Sequence, residues 1–119
     1  MPAPDLAAHL AGVLSARSIW RSDKAEQWPD ARGNAEAADT LSRWAAELAA
    51  MPLDDPVLEP LLALATATGA PDGRTACDAL GIEPYTDASA IGFQRSDAAS
   101  LAELLSVWTR QAERRRGGL

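Results

Sequence analysis

Residues 35–51 place apolar side chains at the spacing of an α-helix, and no other feature of the sequence restricts the fold as strongly. The apolar positions are Leu41, Trp44, Leu48 and Met51. Intervals of three, four and three residues are typical of a helix that packs one face into a bundle. Asn34 is the expected N-cap of this helix, and Pro52 is expected to end it.

The amino-terminal region predicts a second helix that begins after Asp5, a residue type favoured at the N-cap. Its apolar positions are Leu6, Leu10, Val13 and Leu14, and the stripe extends toward Ile19 and Trp20. Ser22 and Asp23 are expected to restart the helix for one more turn. Pro29 ends that turn, because the residue before a proline avoids the helical conformation.

Three further helical segments follow. Asp55 as N-cap and Pro56 at the first helical position predict a third helix. It is apolar on most sides, is expected to lie at the centre of the bundle, and ends at Gly69. A short helix within residues 70–80 is expected to stop at Gly81. One more turn is expected over 86–92. The final helix is expected to start at Ser96, to carry leucines and Trp108, and to fray over residues 114–119.

The composition supports an all-α fold. Alanine makes up roughly a fifth of the 119 residues and has the highest helix propensity, whereas the residues that favour strands are scarce. The sequence therefore predicts a compact bundle of about five helices, with an irregular helix-turn-short-helix segment near residues 70–95. We expect one domain over 1–116 and a flexible tail over 117–119.

The charge is uneven. The net charge is −6, which disfavours binding to nucleic acid. An acidic face is predicted from Asp54, Asp55, Glu59, Asp72, Asp78, Glu83 and Asp87. Such a face is complementary to a basic or nucleic-acid-binding protein partner. The sequence has no signal peptide and no apolar run long enough to span a membrane, so a cytoplasmic protein that does not bind membranes is expected.

Residues 74–95 resemble a helix-turn-helix in outline, but their chemistry argues against DNA reading. The segment expected to serve as the recognition helix, 85–91, contains no arginine, lysine, glutamine or asparagine. Acidic residues surround it and would be repelled by phosphates. A transcriptional regulator that uses residues 74–95 and the arginine-rich carboxyl terminus is kept as an alternative function.

Catalytic and metal-binding groups are sparse. Cys77 is the only cysteine and His9 the only histidine, which disfavours a thiol nucleophile and a transition-metal site. Glu36, Asp39 and Glu47 share a helix and are the nearest match to the carboxylates of a magnesium-dependent all-α hydrolase. That hydrolase is the second alternative, and the leading expectation is a chain without catalytic residues, metal or cofactor.

The four tryptophans are the least ordinary feature of the sequence. Trp44 and Trp108 lie within leucine stripes and are predicted to be core residues. Arg17, Trp20, Arg21 and Trp28 are predicted to form a partner-binding surface, since tryptophan and arginine are enriched at binding hot spots. The expected function is therefore a small acidic adaptor, inhibitor or accessory factor, of bacterial or phage origin. It would bind another protein, and a homodimer is left open.

Overall fold

A computed structural model of the chain describes residues 5–30, 33–82 and 100–117. Within these ranges the chain forms five α-helices and no strand. They are α1 (Leu6–Gln27), α2 (Gly33–Ala50), α3 (Glu59–Ala67), α4 (Gly73–Leu80) and α5 (Leu101–Gly117). The expected all-α bundle of about five helices is confirmed. The single-domain boundaries stay a prediction, and the turn expected over 86–92 lies outside the described residues.

Helices α1 and α2 form an antiparallel hairpin. The Ser18 hydroxyl donates to the Ala38 carbonyl at 2.6 Å, and the Arg21 guanidinium donates to the Asn34 side-chain oxygen at 2.9 Å. Both contacts join residues near the loop between the two helices, as an αα-hairpin requires. Asn34, expected to be an N-cap, thus lies inside α2 and accepts from α1 instead.

One continuous core joins all five helices. Helix α1 contributes to it only through its first half, whose last core residue is Leu14. Helix α2 contributes from Leu41 onward, and Trp44 and Trp108 are both buried as predicted. The part of the hairpin nearest the connecting loop therefore packs helix against helix and adds no side chain to this core.

Helix α1 has no break at Ser22 and Asp23, where the sequence predicted one. The helix continues without interruption to Gln27, and Asp5 makes no side-chain capping bond. At 22 residues α1 is about 33 Å long. The contacts of Ser18 and Arg21 with α2 hold α1 up to the residue before the expected restart, and the backbone continues from there as one helix.

The start and the burial of α3 also differ from the prediction. The Asp55 carboxylate accepts the Val57 N–H at 2.9 Å, but residues 56–58 form turns and the α-helix begins at Glu59. Leu61, Leu62 and Ala65 are buried, whereas the opposite side of α3 is exposed. Helix α3 is thus an amphipathic helix at the surface of the bundle, because only one of its faces is covered.

Glycine and short polar residues set the ends of α4 and α5. The Asp72 carboxylate caps α4 by accepting the Thr75 N–H at 2.8 Å. Gly81 ends that helix with φ at +72°, as predicted. Helix α5 begins at Leu101 rather than Ser96, since Ser100 is not helical and its hydroxyl oxygen accepts the Glu103 N–H at 3.3 Å.

Candidate protein-binding surface

The stripe of α1 that enters the core changes chemistry halfway along the helix. Its core residues Leu6, Leu10 and Leu14 are followed at three- or four-residue spacing by Arg17, Arg21, Lys24 and Trp28. At about 100° per residue these positions share one side of the helix. The side of α1 that meets the core in its first half therefore carries cations in its second half, and the indole of the C-cap residue Trp28 follows them.

Tryptophan and cations are stacked on this part of α1. The Arg17 guanidinium carbon lies 4.4 Å from the centre of the Trp20 ring, and that of Arg21 lies 4.8 Å from it. The Lys24 ammonium lies 5.2 Å from the Trp20 ring and 4.7 Å from the Trp28 ring. These distances fall within the range of cation–π attraction. We call Arg17, Trp20, Arg21, Lys24 and Trp28 the cation–aromatic surface.

The two indoles are open to solvent. Trp20 is 40% exposed and Trp28 is 54% exposed. Together with Ile19, which is 63% exposed, they are three of the four large hydrophobic residues that the described part of the chain exposes. The fourth, Leu53, lies in the turn between α2 and α3. Exposed apolar side chains are thus concentrated on the second half of α1.

Arg21 has a different position from the one that the sequence suggested. It is only 7% exposed, and its guanidinium donates to Asn34 on α2. Burial and the nearby charge of Arg17 lower the pKa of Arg21 from its usual value. Arg21 is therefore a buried part of the surface. It connects α1 to α2 through Asn34 and also contacts the Trp20 ring.

Lys24 belongs to the surface, although sequence reasoning did not select it. It lies four residues after Trp20 and four residues before Trp28, so a continuous helix places it between the two rings. Because the helix was expected to restart at Ser22, the four-residue spacing of Trp20, Lys24 and Trp28 was not treated as one helical face. The same spacing would have identified Lys24 once α1 was treated as one helix.

Two carboxylates of the predicted acidic face also take part in local hydrogen bonds. The carboxylates of Asp55 and Asp72 each accept a backbone N–H, and the bond from Thr75 holds the pKa of Asp72 below its usual value. Asp54, Glu59 and Asp78 are exposed. Glu83 and Asp87 lie outside the described residues, so the face as a whole stays a prediction.

The other candidate groups do not converge on a reaction centre in the described ranges. Cys77 is buried, and burial with the neighbouring Asp78 raises its pKa to about 12. Asp39 forms an exposed ion pair with Arg43 at 3.4 Å. Within residues 5–30, 33–82 and 100–117, no three His, Cys, Asp or Glu side chains are grouped so that they could hold a metal ion.

Comparison of the chain with protein-family models, curated proteins and solved structures finds no significant match.

A surface depression lies between the start of α3 and α5. It has a volume of about 410 Å³ and is lined by residues that include Pro56, Pro60, Ser106 and Arg110.

Among the helices that the structure describes, none has the length and apolar character needed to cross a membrane.

Proposed function

We propose that this chain is a non-enzymatic protein that acts by binding another protein through the cation–aromatic surface of α1. The observation that carries the proposal is the clustering of Trp20 and Trp28 with stacked cations on a half-helix that adds nothing to the core. An exposed indole costs solvation free energy in the isolated protein, and a partner that covers it removes that cost.

The surface also has the composition of a binding hot spot. Tryptophan and arginine dominate the binding free energy at many protein interfaces. Here Arg17 and Arg21 contact the Trp20 ring, and we expect these contacts to restrict its rotamers before any partner arrives. A side chain that is already ordered loses less conformational entropy when it is immobilised at an interface.

We further propose that the protein acts in the cytoplasm. The single cysteine supports this compartment, since it is buried and free and the chain cannot form the intramolecular disulfides that are common in oxidising compartments. The core of α1 to α5 needs no disulfide for its assembly. A second copy of the chain remains an alternative occupant of the surface, and light scattering of the purified protein tests it directly.

The direct test removes both indoles while leaving the bundle intact. The protein and its Trp20→Ala/Trp28→Ala variant are used to capture partners from host extract, and the leading partner is then purified for calorimetric titration. Loss of two central aromatic contacts is expected to weaken binding by about 2 kcal/mol or more, roughly 30-fold.

Leu53→Ala provides the matched control. Leu53 is 65% exposed, so its truncation also removes exposed apolar surface, but it follows the end of α2 and lies at the other end of the α1–α2 hairpin from the cation–aromatic surface. The control variant is expected to bind as tightly as the wild type. Equal binding by the double variant and the wild type, with unchanged helical circular dichroism, would show that α1 is not the interface.

A further inference from the structure

We propose that the cation–aromatic surface binds an acidic segment of its partner protein, with carboxylates on Arg17 and Lys24 and an apolar side chain on Trp28. The inference rests on the proposed function and names the chemistry of the partner at that surface. Three observations support the inference. They are the contacts that Arg17 and Lys24 make, the distribution of acidic residues around α1, and the different environments of Trp20 and Trp28.

The two outer cations have no carboxylate partner within the described part of the chain. Arg17 contacts the Trp20 ring, and Lys24 contacts the rings of Trp20 and Trp28. The chain has 17 acidic residues and only 11 lysines and arginines, so most cations could have been paired internally. Cations that remain on indoles in such an acidic chain are available to an anion from outside.

The acids of the same half-helix are turned away from these cations. Asp23 and Glu26 are both exposed. At about 100° per residue, Asp23 is displaced by about 100° from Lys24 and Glu26 lies on the opposite side of α1 from Arg17. The second half of α1 is therefore positive on the side that continues the core stripe and negative on the other side.

Trp20 and Trp28 offer different contacts to a partner. Among the residues that the structure describes, three cations lie around the Trp20 ring and Lys24 alone lies over Trp28, which is also the more exposed of the two. Trp28 thus keeps the larger free apolar area. A segment with acidic and apolar side chains in alternation can bind Lys24 and Trp28 together, because these two groups lie 4.7 Å apart.

A protein segment fits this surface better than a nucleic acid does. The whole chain carries a net charge of −6, and this charge repels an extended polyanion more strongly than a short peptide with a few carboxylates. In addition, the phosphate backbone supplies no apolar group for Trp28. Binding to an acidic peptide should weaken with added salt, since the cations are near the surface.

The test uses the indole N–H signals of the four tryptophans in two-dimensional NMR spectra of the full chain. Three probes are titrated: an acidic peptide that contains leucines, the same peptide with each glutamate replaced by glutamine, and a single-stranded oligonucleotide of equal length. Alanine variants of Trp20 and Trp28 assign the two exposed signals. The acidic peptide is expected to shift the Trp20 and Trp28 signals and to leave those of Trp44 and Trp108 in place.

The Arg17→Gln/Lys24→Gln variant then removes both outer charges but keeps polar side chains. Its dissociation constant for the acidic peptide is expected to rise about fivefold or more, whereas Arg114→Gln, which changes an exposed cation on α5, should leave it unchanged. Equal shifts with the glutamine peptide, or tighter binding of the oligonucleotide, would overturn the inference.

These outcomes separate the inference from the proposed function. If the glutamine peptide binds as well as the acidic one, an interface at the indoles survives and only its anion specificity is lost. If no probe shifts the Trp20 and Trp28 signals, the acidic-segment inference is overturned. If the Trp20→Ala/Trp28→Ala variant also captures the natural partner normally, the proposed function fails with it.

Discussion

Replacing Gly73 with alanine should destabilise the bundle, because the first residue of α4 lies directly against the start of α1. A Cβ added to Gly73 would lie 2.7 Å from the Asp5 carbonyl carbon and 2.8 Å from Leu6 Cα, and it would also meet the Asp5 carbonyl oxygen. All of these are backbone atoms, so no side-chain rotation relieves the overlap. A single methyl group at Gly73 therefore tests the close approach of α4 to the start of α1.

The magnitude follows from the distances. Carbon atoms in contact prefer a separation of about 3.5–4.0 Å, so α4 and the start of α1 would have to move apart by about 1 Å. Overpacking of this kind typically costs about 1–3 kcal/mol. We expect Gly73→Ala to lower the free energy of unfolding by about 2 kcal/mol, which corresponds to a Tm decrease of about 8 °C for a chain of this length.

Gly12→Ala is the matched control, since it adds the same methyl group to a helix. A Cβ at Gly12 would meet no atom within 4 Å. Alanine in the interior of α1 should therefore stabilise the protein by about 0.5–1 kcal/mol. Urea denaturation followed by tryptophan fluorescence measures both variants, because Trp44 and Trp108 leave the core on unfolding.

The opposite signs of the two changes test the packing of α4 on α1. If Gly73→Ala remained within 0.5 kcal/mol of the wild type, the close approach of Gly73 to Asp5 and Leu6 would be refuted. If both variants lost stability equally, the cause would be alanine in a helix of this protein rather than contact between α1 and α4.

Three further predictions concern single side chains. The Cys77 thiol is buried, so it should react with Ellman's reagent at pH 8 only in molecules that have opened. Because folding raises its pKa from 9.0 to about 12, ionisation of this thiol should reduce stability progressively as the pH rises from 9 toward 12, and Cys77→Ala should lack this loss. Asp72→Ala should lower the Tm at pH 7 more than Asp72→Asn does, since asparagine also caps helices. Folding lowers the pKa of Asp72 below 3.8, so the stability that its carboxylate contributes is present above pH 3.8 and is lost as the pH falls further. Trp108 is fully buried and its indole N–H has no acceptor within the described ranges. In urea denaturation, Trp108→Phe should therefore cost clearly less than Trp108→Ala, for which roughly 3–5 kcal/mol is typical. Equal costs for Trp108→Phe and Trp108→Ala would contradict this.

The helix ends show which predictions could succeed. Gly81 ends α4 as expected, because a glycine with positive φ is a local backbone property. The starts of α3 and α5 were misplaced by a few residues, since several short polar residues near each start compete as caps. Asp55 and Ser100 both accept backbone N–H groups, but only the full chain shows where each α-helix begins.

The candidate surface was predicted in part. The sequence singled out Trp20 and Trp28 as partner-binding residues, and both are exposed, while their role stays a prediction. Burial of Arg21 could not be expected, because it depends on Asn34, a residue of the next helix. Lys24 was missed because Ser22 and Asp23 suggested a break in α1, whereas α1 is one continuous helix in the structure.

Composition and periodicity were sufficient to establish an all-α bundle, the apolar stripes and the core positions of Trp44 and Trp108. These properties depend on residues three and four positions apart, which the chain specifies locally. The arrangement of the helices in space determines that Gly73 touches Asp5 and that the core ends at Leu14 on α1. Contacts between residues far apart in the chain decide which part of a helix stays uncovered, and for that reason the cation–aromatic surface became complete only in the folded molecule.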